Sequence, residues 1–186
     1  MLLIPFFLSR FLIFFWQKTK LKKIQYKLLA FLSGVLWLLF IPNSAYIITE
    51  VRHLLDFCPA NNFNVCIENA WMIMFFFTYA LIGWISYVYL LNQMEYLISM
   101  IWPKLGRRIY ISTIIPFISL GVMLGLINRW NSWEVFTAPY GLINDLIRYF
   151  TDLTYFINWI LFTIFLYFLY FVGIYIIKKK PNYISN

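Results

Sequence analysis

Residues 28–50 read LLAFLSGVLWLLFIPNSAYIITE, and no charged residue occurs before Glu50. From Leu28 to Ile41, at about 1.5 Å per residue, an uninterrupted helix would reach about 21 Å, short of a hydrocarbon core of roughly 30 Å. Pro42 and Asn43 therefore fall within the outer part of a bilayer. Proline has no N–H to donate and its ring crowds the preceding turn, so the helix kinks or breaks there. Backbone groups released at membrane depth have to be satisfied by protein or by a water-lined cavity. Two readings stay open. Either Pro42 merely bends a span and Asn43 caps the next helical turn, or the break opens a binding site of the kind that discontinuous helices build in transporters.

The rest of the chain is equally apolar. Of 186 residues, 63% are hydrophobic and 12% charged, with a mean hydropathy of +0.76. A water-soluble domain carries about 25% charged residues and cannot cover so much apolar area with polar surface, so the bilayer is the solvent. Apolar runs at 1–16, 28–48, 70–91, 109–127 and 153–177 predict an all-α, polytopic bundle of about five spans forming a single membrane domain. The first run is short and contains Arg10, whose burial at a helix centre costs about 2.5–3.5 kcal/mol. It either crosses with Arg10 turned toward neighbouring helices or dips into one face. Its basic residues come after the apolar run and no small-residue cleavage site appears, which argues against a cleaved signal peptide.

Lysine and arginine set the orientation. Lys18, Lys20, Lys22, Lys23 and Lys27 lie between the first two runs, Lys104, Arg107 and Arg108 between the third and fourth, and Lys178, Lys179 and Lys180 after the last. The remaining loops hold Arg52, Arg129 and Arg148. Basic loops stay on the cytoplasmic side, so the N-terminus is expected outside and the C-terminus inside. The net charge of +8 is thereby explained without a nucleic-acid partner; the partners expected are membrane lipid and a small-molecule or lipid-linked ligand.

Polar residues gather in the outer segments, roughly 49–69 and 128–152, which hold six of the seven acidic side chains: Glu50, Asp56, Glu68, Glu134, Asp145 and Asp152. Glu50 and His53 share a helix face at i,i+3, where a carboxylate can tune the one side chain that titrates near neutrality. That pair is the candidate for catalysis; a plain hydrogen bond is the alternative. Asn131 and Glu134 have the spacing of a capping box, and Trp130 and Trp133 suit the headgroup level. Arg129 directly succeeds an apolar run on the side poor in basic residues. It can hold a phosphate or carboxylate through two hydrogen bonds, pair with Glu50 or Glu134, or reach up to headgroup phosphate. Cys58 and Cys66 share one outer segment, where a disulfide is permitted. With two cysteines and one histidine no metal site and no cofactor is expected.

The run Phe40-Ile41-Pro42-Asn43-Ser44-Ala45-Tyr46-Ile47-Ile48-Thr49-Glu50, with His53-Leu54 after it, resembles a signature of uncharacterised bacterial integral membrane proteins, domain of unknown function 1361. Leu124-Gly125 through Arg129-x-Asn131-Ser132-Trp133-Glu134, with Pro139 beyond it, resembles that family's second signature. The resemblance runs from about residue 28 to residue 177 and implies a multi-pass protein of a bacterial cytoplasmic membrane, with no activity attached. The family's aspartates are Glu50 and Glu134 here, and the arginine usual after the Leu-Gly pair is Leu126, so a role needing two arginines lacks one of them at that position.

Charge counting puts both signatures at one rim, which points to a composite site of Asn43, Tyr46, Glu50, His53, Arg129, Asn131 and Glu134. Three functions are open to such a site. The foremost is binding or transport of an anionic small molecule or lipid headgroup, with Asn43, Tyr46, Arg129, Asn131 and Glu134 as ligand-binding residues. The second is an enzyme acting on a lipid-linked substrate, with Glu50 or His53 as general base and Arg129 steadying negative charge. The third is a structural or accessory subunit whose polar motifs tie helices together.

Overall fold

The computed structural model describes residues 3–18, 24–54, 70–102 and 106–178. Among these the regular structure is entirely helical: α1 (Leu3–Lys18), α2 (Ile24–Phe40), α3 (Pro42–Tyr46), a 3₁₀ segment (Ile47–His53), α4 (Ala70–Ile101), α5 (Gly106–Ile127), α6 (Glu134–Thr137), α7 (Pro139–Thr151) and α8 (Leu153–Lys178). Four stretches, Ile24–His53, Trp71–Met100, Gly106–Ile127 and Leu153–Ile177, are long and apolar enough to cross a membrane. The protein is an all-α polytopic bundle. Its surface is inside-out by the standards of a soluble domain: Met74, Phe77, Phe168 and Phe171 are exposed, as a hydrocarbon solvent permits. The core between the helices is built on Ile41, Tyr87, Leu90, Leu91, Ile115, Ile118 and Leu166, all fully buried.

The sixteen residues of α1 pack lengthwise on α2. The charge it carries is handled by α4: Arg10 Nη2 donates to the Tyr89 hydroxyl at 3.1 Å, and Gln93 Nε2 donates to the same oxygen at 2.9 Å. Beside it Ser9 Oγ donates to Gln93 Oε1 at 2.9 Å. A polar seam joins two otherwise apolar helices, which is how side chains with hydrogen-bonding capacity are accommodated between membrane helices.

Two prolines interrupt the spans. Pro42 divides the second one, as expected: α2 stops at Phe40, Pro42 opens α3, and a 3₁₀ segment carries the chain to His53. Pro42 itself is buried against α5, where Gly121 makes room for it. A Cβ on Gly121 would lie 2.6 Å from Pro42 Cγ, so only glycine permits this approach. Pro116, inside α5, has no N–H for the carbonyl of Ser112. The hydroxyl of Tyr167 on α8 supplies the missing donor at 2.9 Å, the compensation from a neighbouring helix that membrane prolines require.

α4 continues past Leu91 to Ile101 and takes the seventh acidic residue, Glu95, into the bundle. Glu95 is 6% exposed. Its carboxylate forms an ion pair with Arg107 Nε and accepts a hydrogen bond from the Tyr170 hydroxyl. A neutralised carboxylate can stay on a buried helix face where a lone one could not.

The outer segment after α5 holds more structure than its polarity suggests. α7 is a strongly amphipathic helix, with Tyr140, Ile143, Ile147 and Phe150 exposed along one stripe and Tyr149 fully buried on the other. It packs on α8. At about 20 Å long, with Asp145 and Arg148 on it, it has the build of a helix lying in the interface plane.

Candidate functional site

Asn43, Tyr46, Glu50, Arg129 and Asn131 line one cavity of about 580 Å³, together with Ser132 and the apolar faces of α2, α5 and α7. The two signature segments thus meet. Asn43 Nδ2 donates to Ser132 Oγ at 3.2 Å, and the Ser132 hydroxyl is 3.4 Å from Asn43 Oδ1. Ile41 keeps a helical backbone (φ −60°, ψ −34°) across the junction, so Pro42 interrupts the hydrogen bonds while the chain runs on into α3, which carries Asn43.

Glu134 and His53 stand behind the cavity wall rather than in it. His53 Nε2 is 3.3 Å from Glu50 Oε2, so the histidine backs a carboxylate that lines the cavity. The Glu134 carboxylate accepts from the backbone N–H of Asn131 and, at 3.1 Å, from Asn131 Nδ2. That is the backward reach of a capping box, although α6 itself begins at Glu134 with Trp133 as its cap. Both carboxylates that the sequence offered as counter-ions to Arg129 are therefore engaged elsewhere.

Arg129 has φ of 64°, the one positive value at a non-glycine residue among those described. The backbone N–H groups of Asn128 and Trp130 both reach back to the carbonyl of Leu124, at 3.1 and 3.2 Å, wrapping the end of α5. A left-handed residue at this place in a helix terminus is ordinarily glycine, and a side chain there costs about 1–2 kcal/mol. Among the described residues no hydrogen bond or ion pair engages the Arg129 guanidinium. A strained backbone holds a cation without a partner among them in the wall of a cavity, and strain of this kind concentrates at ligand clamps.

The Trp130 wall of the site is held by α7. Trp130 Nε1 donates to Asp145 Oδ2 at 2.7 Å, and Arg148 Nη1 lies 3.4 Å from Asp145 Oδ1. The Tyr149 hydroxyl donates to Asn128 Oδ1 at 3.1 Å. Burial, with added repulsion from Tyr155 and Asp145, pushes the Tyr149 hydroxyl up to about 12, so it remains a donor at any physiological pH. Among the described residues, no three of His, Cys, Asp and Glu come together as metal ligands would. Cys58 and Cys66, with Asp56 and Glu68, lie outside the described residues.

With this geometry in place, the comparison with known families is specific. The family model for a protein of unknown function, DUF1361, matches residues 1–176. The chain belongs to that family. The match begins at the first residue, so α1 lies within the family unit, whereas the resemblance read from the motifs starts only at about residue 28. No curated protein and no solved structure matches the chain.

One further residue emerges in this DUF1361 protein. Leu126 stands where the second signature leads one to expect arginine, and its carbonyl accepts from Arg52 Nη1 at 3.4 Å. Arg52 Nη2 donates to the Tyr46 hydroxyl at 3.2 Å, while its Nε is buried with no partner among the described residues. A second guanidinium thus reaches the backbone of position 126 from the 3₁₀ segment and braces Tyr46, a wall of the cavity. In the sequence Arg52 is only a loop charge, because nothing local links it to a residue so far along the chain.

Proposed function

We propose that the cavity at the junction of α3, α5 and α7 binds an anionic group, carried by a small molecule or by a lipid headgroup, at the extracytoplasmic rim of a bacterial cytoplasmic membrane. The observation that carries this reading is Arg129: a cation on a strained backbone, facing a cavity and lacking a carboxylate of its own among the described residues. Asn43, Ser132 and Asn131 offer amide and hydroxyl groups beside it, suited to phosphate or carboxylate oxygens. The apolar walls from α2, α5 and α7 suit the body of an amphiphile, as in most ligand sites.

Arg129→Gly tests it directly. Glycine accepts the left-handed backbone, so the variant is expected to fold at least as well as the parent while losing retention of the anion in native mass spectrometry. Undiminished retention in a folded Arg129→Gly protein defeats the reading. A reporter fused after Lys180 checks the orientation and should report the cytoplasm.

The Glu50–His53 pair favours a second reading, hydrolysis or group transfer on a lipid-linked substrate, with Glu50 as the base inside the cavity and His53 orienting it. Here Glu50→Gln and His53→Ala should leave the folded protein intact and abolish turnover of a lipid phosphate. Loss of folded protein in both would instead assign the pair to structure.

A further inference from the structure

The anion site does not end at its apolar wall. A second cavity of about 690 Å³ lies between α1, α2, α4 and α5, lined almost wholly by hydrocarbon, with Lys27 among its lining residues. Leu38 lines both cavities. The helical register makes them one feature: on α2 the lining residues Lys27, Phe31, Gly34 and Leu38 are spaced in steps of three and four, a single helix face, and Pro42 at the start of α3 follows four residues on. On α5 the face that begins at Tyr110 and Ile114 in the second cavity continues through Phe117 and Gly121 in the first. α2 packs chiefly along α1, and its proline, not its straight part, is what meets α5. The result is a trough between α2 and α5, open on the lipid side, where Phe31, Val35, Leu38 and Phe117 are exposed.

We infer that this trough holds the single long tail of a polyprenyl-type lipid phosphate whose head occupies the anion site, an inference that rests on that site being real. Three features select this occupant. The head end carries Arg129, a cation without a partner among the described residues, with Asn43, Asn131 and Ser132 beside it, while the trough has no row of polar groups along which a headgroup could travel, so it holds hydrocarbon. From Pro42 to Lys27 the trough runs about 22 Å at about 1.5 Å per residue, whereas one leaflet of a core of roughly 30 Å is about 15 Å deep. The trough thus runs past the mid-plane, beyond the depth at which an acyl chain packed in its own leaflet ends. One trough between two helices also takes one tail, where a diacyl lipid brings two.

Purified protein in detergent, titrated with farnesyl phosphate, undecaprenyl phosphate and dioleoyl phosphatidic acid and read by native mass spectrometry, tests the inference. Undecaprenyl phosphate is expected to bind at least about tenfold more tightly than farnesyl phosphate, from the extra hydrocarbon buried, with phosphatidic acid no better than farnesyl phosphate. Gly34→Leu fills the trough; a Cβ there meets nothing nearer than Leu12 Cδ1 at 3.8 Å, so its first carbon has room. It should abolish the long-chain advantage, bringing undecaprenyl phosphate binding down to that of farnesyl phosphate, and Val35→Phe, on the exposed wall, should do the same. Equal binding of the two prenyl phosphates, preference for phosphatidic acid, or indifference to both substitutions overturns the inference and leaves the anion site standing. Absence of binding by every phosphate removes both.

Discussion

The two ends of the bundle treat an arginine in opposite ways. At the end rich in basic residues, Arg107 is spent on Glu95, which in turn holds the Tyr170 hydroxyl, and the trio ties α4, α5 and α8 together. At the other end Arg129 sits on a strained backbone with its nearby carboxylates already engaged by His53 and Asn131. The first arrangement neutralises charge so that helices can pack. The second leaves an exposed guanidinium without a partner among the described residues, open to an anion from outside. Local composition does not distinguish the two: each arginine closely borders an apolar run. What differs is whether the fold brings a buried carboxylate to meet it.

The sharpest way to break this contrast is to remove the paired arginine. Arg107→Ala leaves the buried Glu95 without its cation; because Arg107 is itself half exposed, the cost is expected below that of a fully buried pair, about 2–3 kcal/mol, and thermal unfolding in detergent should fall accordingly. Unchanged stability would put Arg107 in the same class as Arg129. Next in size is Gly121→Ala, which drives a methyl into Pro42 and should cost about 1–3 kcal/mol by overpacking, loosening the packing of α3 on α5. Arg129→Gly is expected to shift stability the other way, by a gain of about 1 kcal/mol from relieved strain, while abolishing anion retention. A loss of stability instead would make Arg129 a structural residue like Arg107.

The smallest effect concerns pH. Tyr149 holds its proton more tightly in the folded protein, up to about 12 against an ordinary 10. The folded state therefore binds more protons between these values, and stability should decline as pH rises from about 10 to 12. Tyr149→Phe should flatten that decline, at a cost of about 1 kcal/mol at neutral pH for the lost bond to Asn128.

Much of this architecture is legible in the sequence. Apolar run lengths mark the helices, and the shortfall before Pro42 locates the break, because both depend only on rise per residue and bilayer thickness. Charge counting puts the two signature segments on one rim, and they share a cavity. The features that escape depend on partners distant along the chain. Glu95 resembles a loop residue since Asn92, Gln93 and Glu95 end the apolar run; its burial needs Arg107 and Tyr170. α7 is hidden in a segment whose polar residues mask the stripe of Tyr140, Ile143, Ile147 and Phe150. Arg52 acquires meaning only through the carbonyl of Leu126, and the trough below Leu38 only through the gap between two helices whose individual patterns are unremarkable.

The seam between α1 and α4 bears on how the chain is made. The hydroxyl that receives Arg10 lies 79 residues further along, on a helix that leaves the ribosome long after α1 has met the translocon. Until Tyr89 arrives, Arg10 has to keep its charge near water, so the first helix takes its final seat only once α4 is in place. Seating of the first helix is therefore expected to wait for α4, and a nascent chain stalled before Tyr89 should leave the first helix accessible to aqueous cysteine reagents.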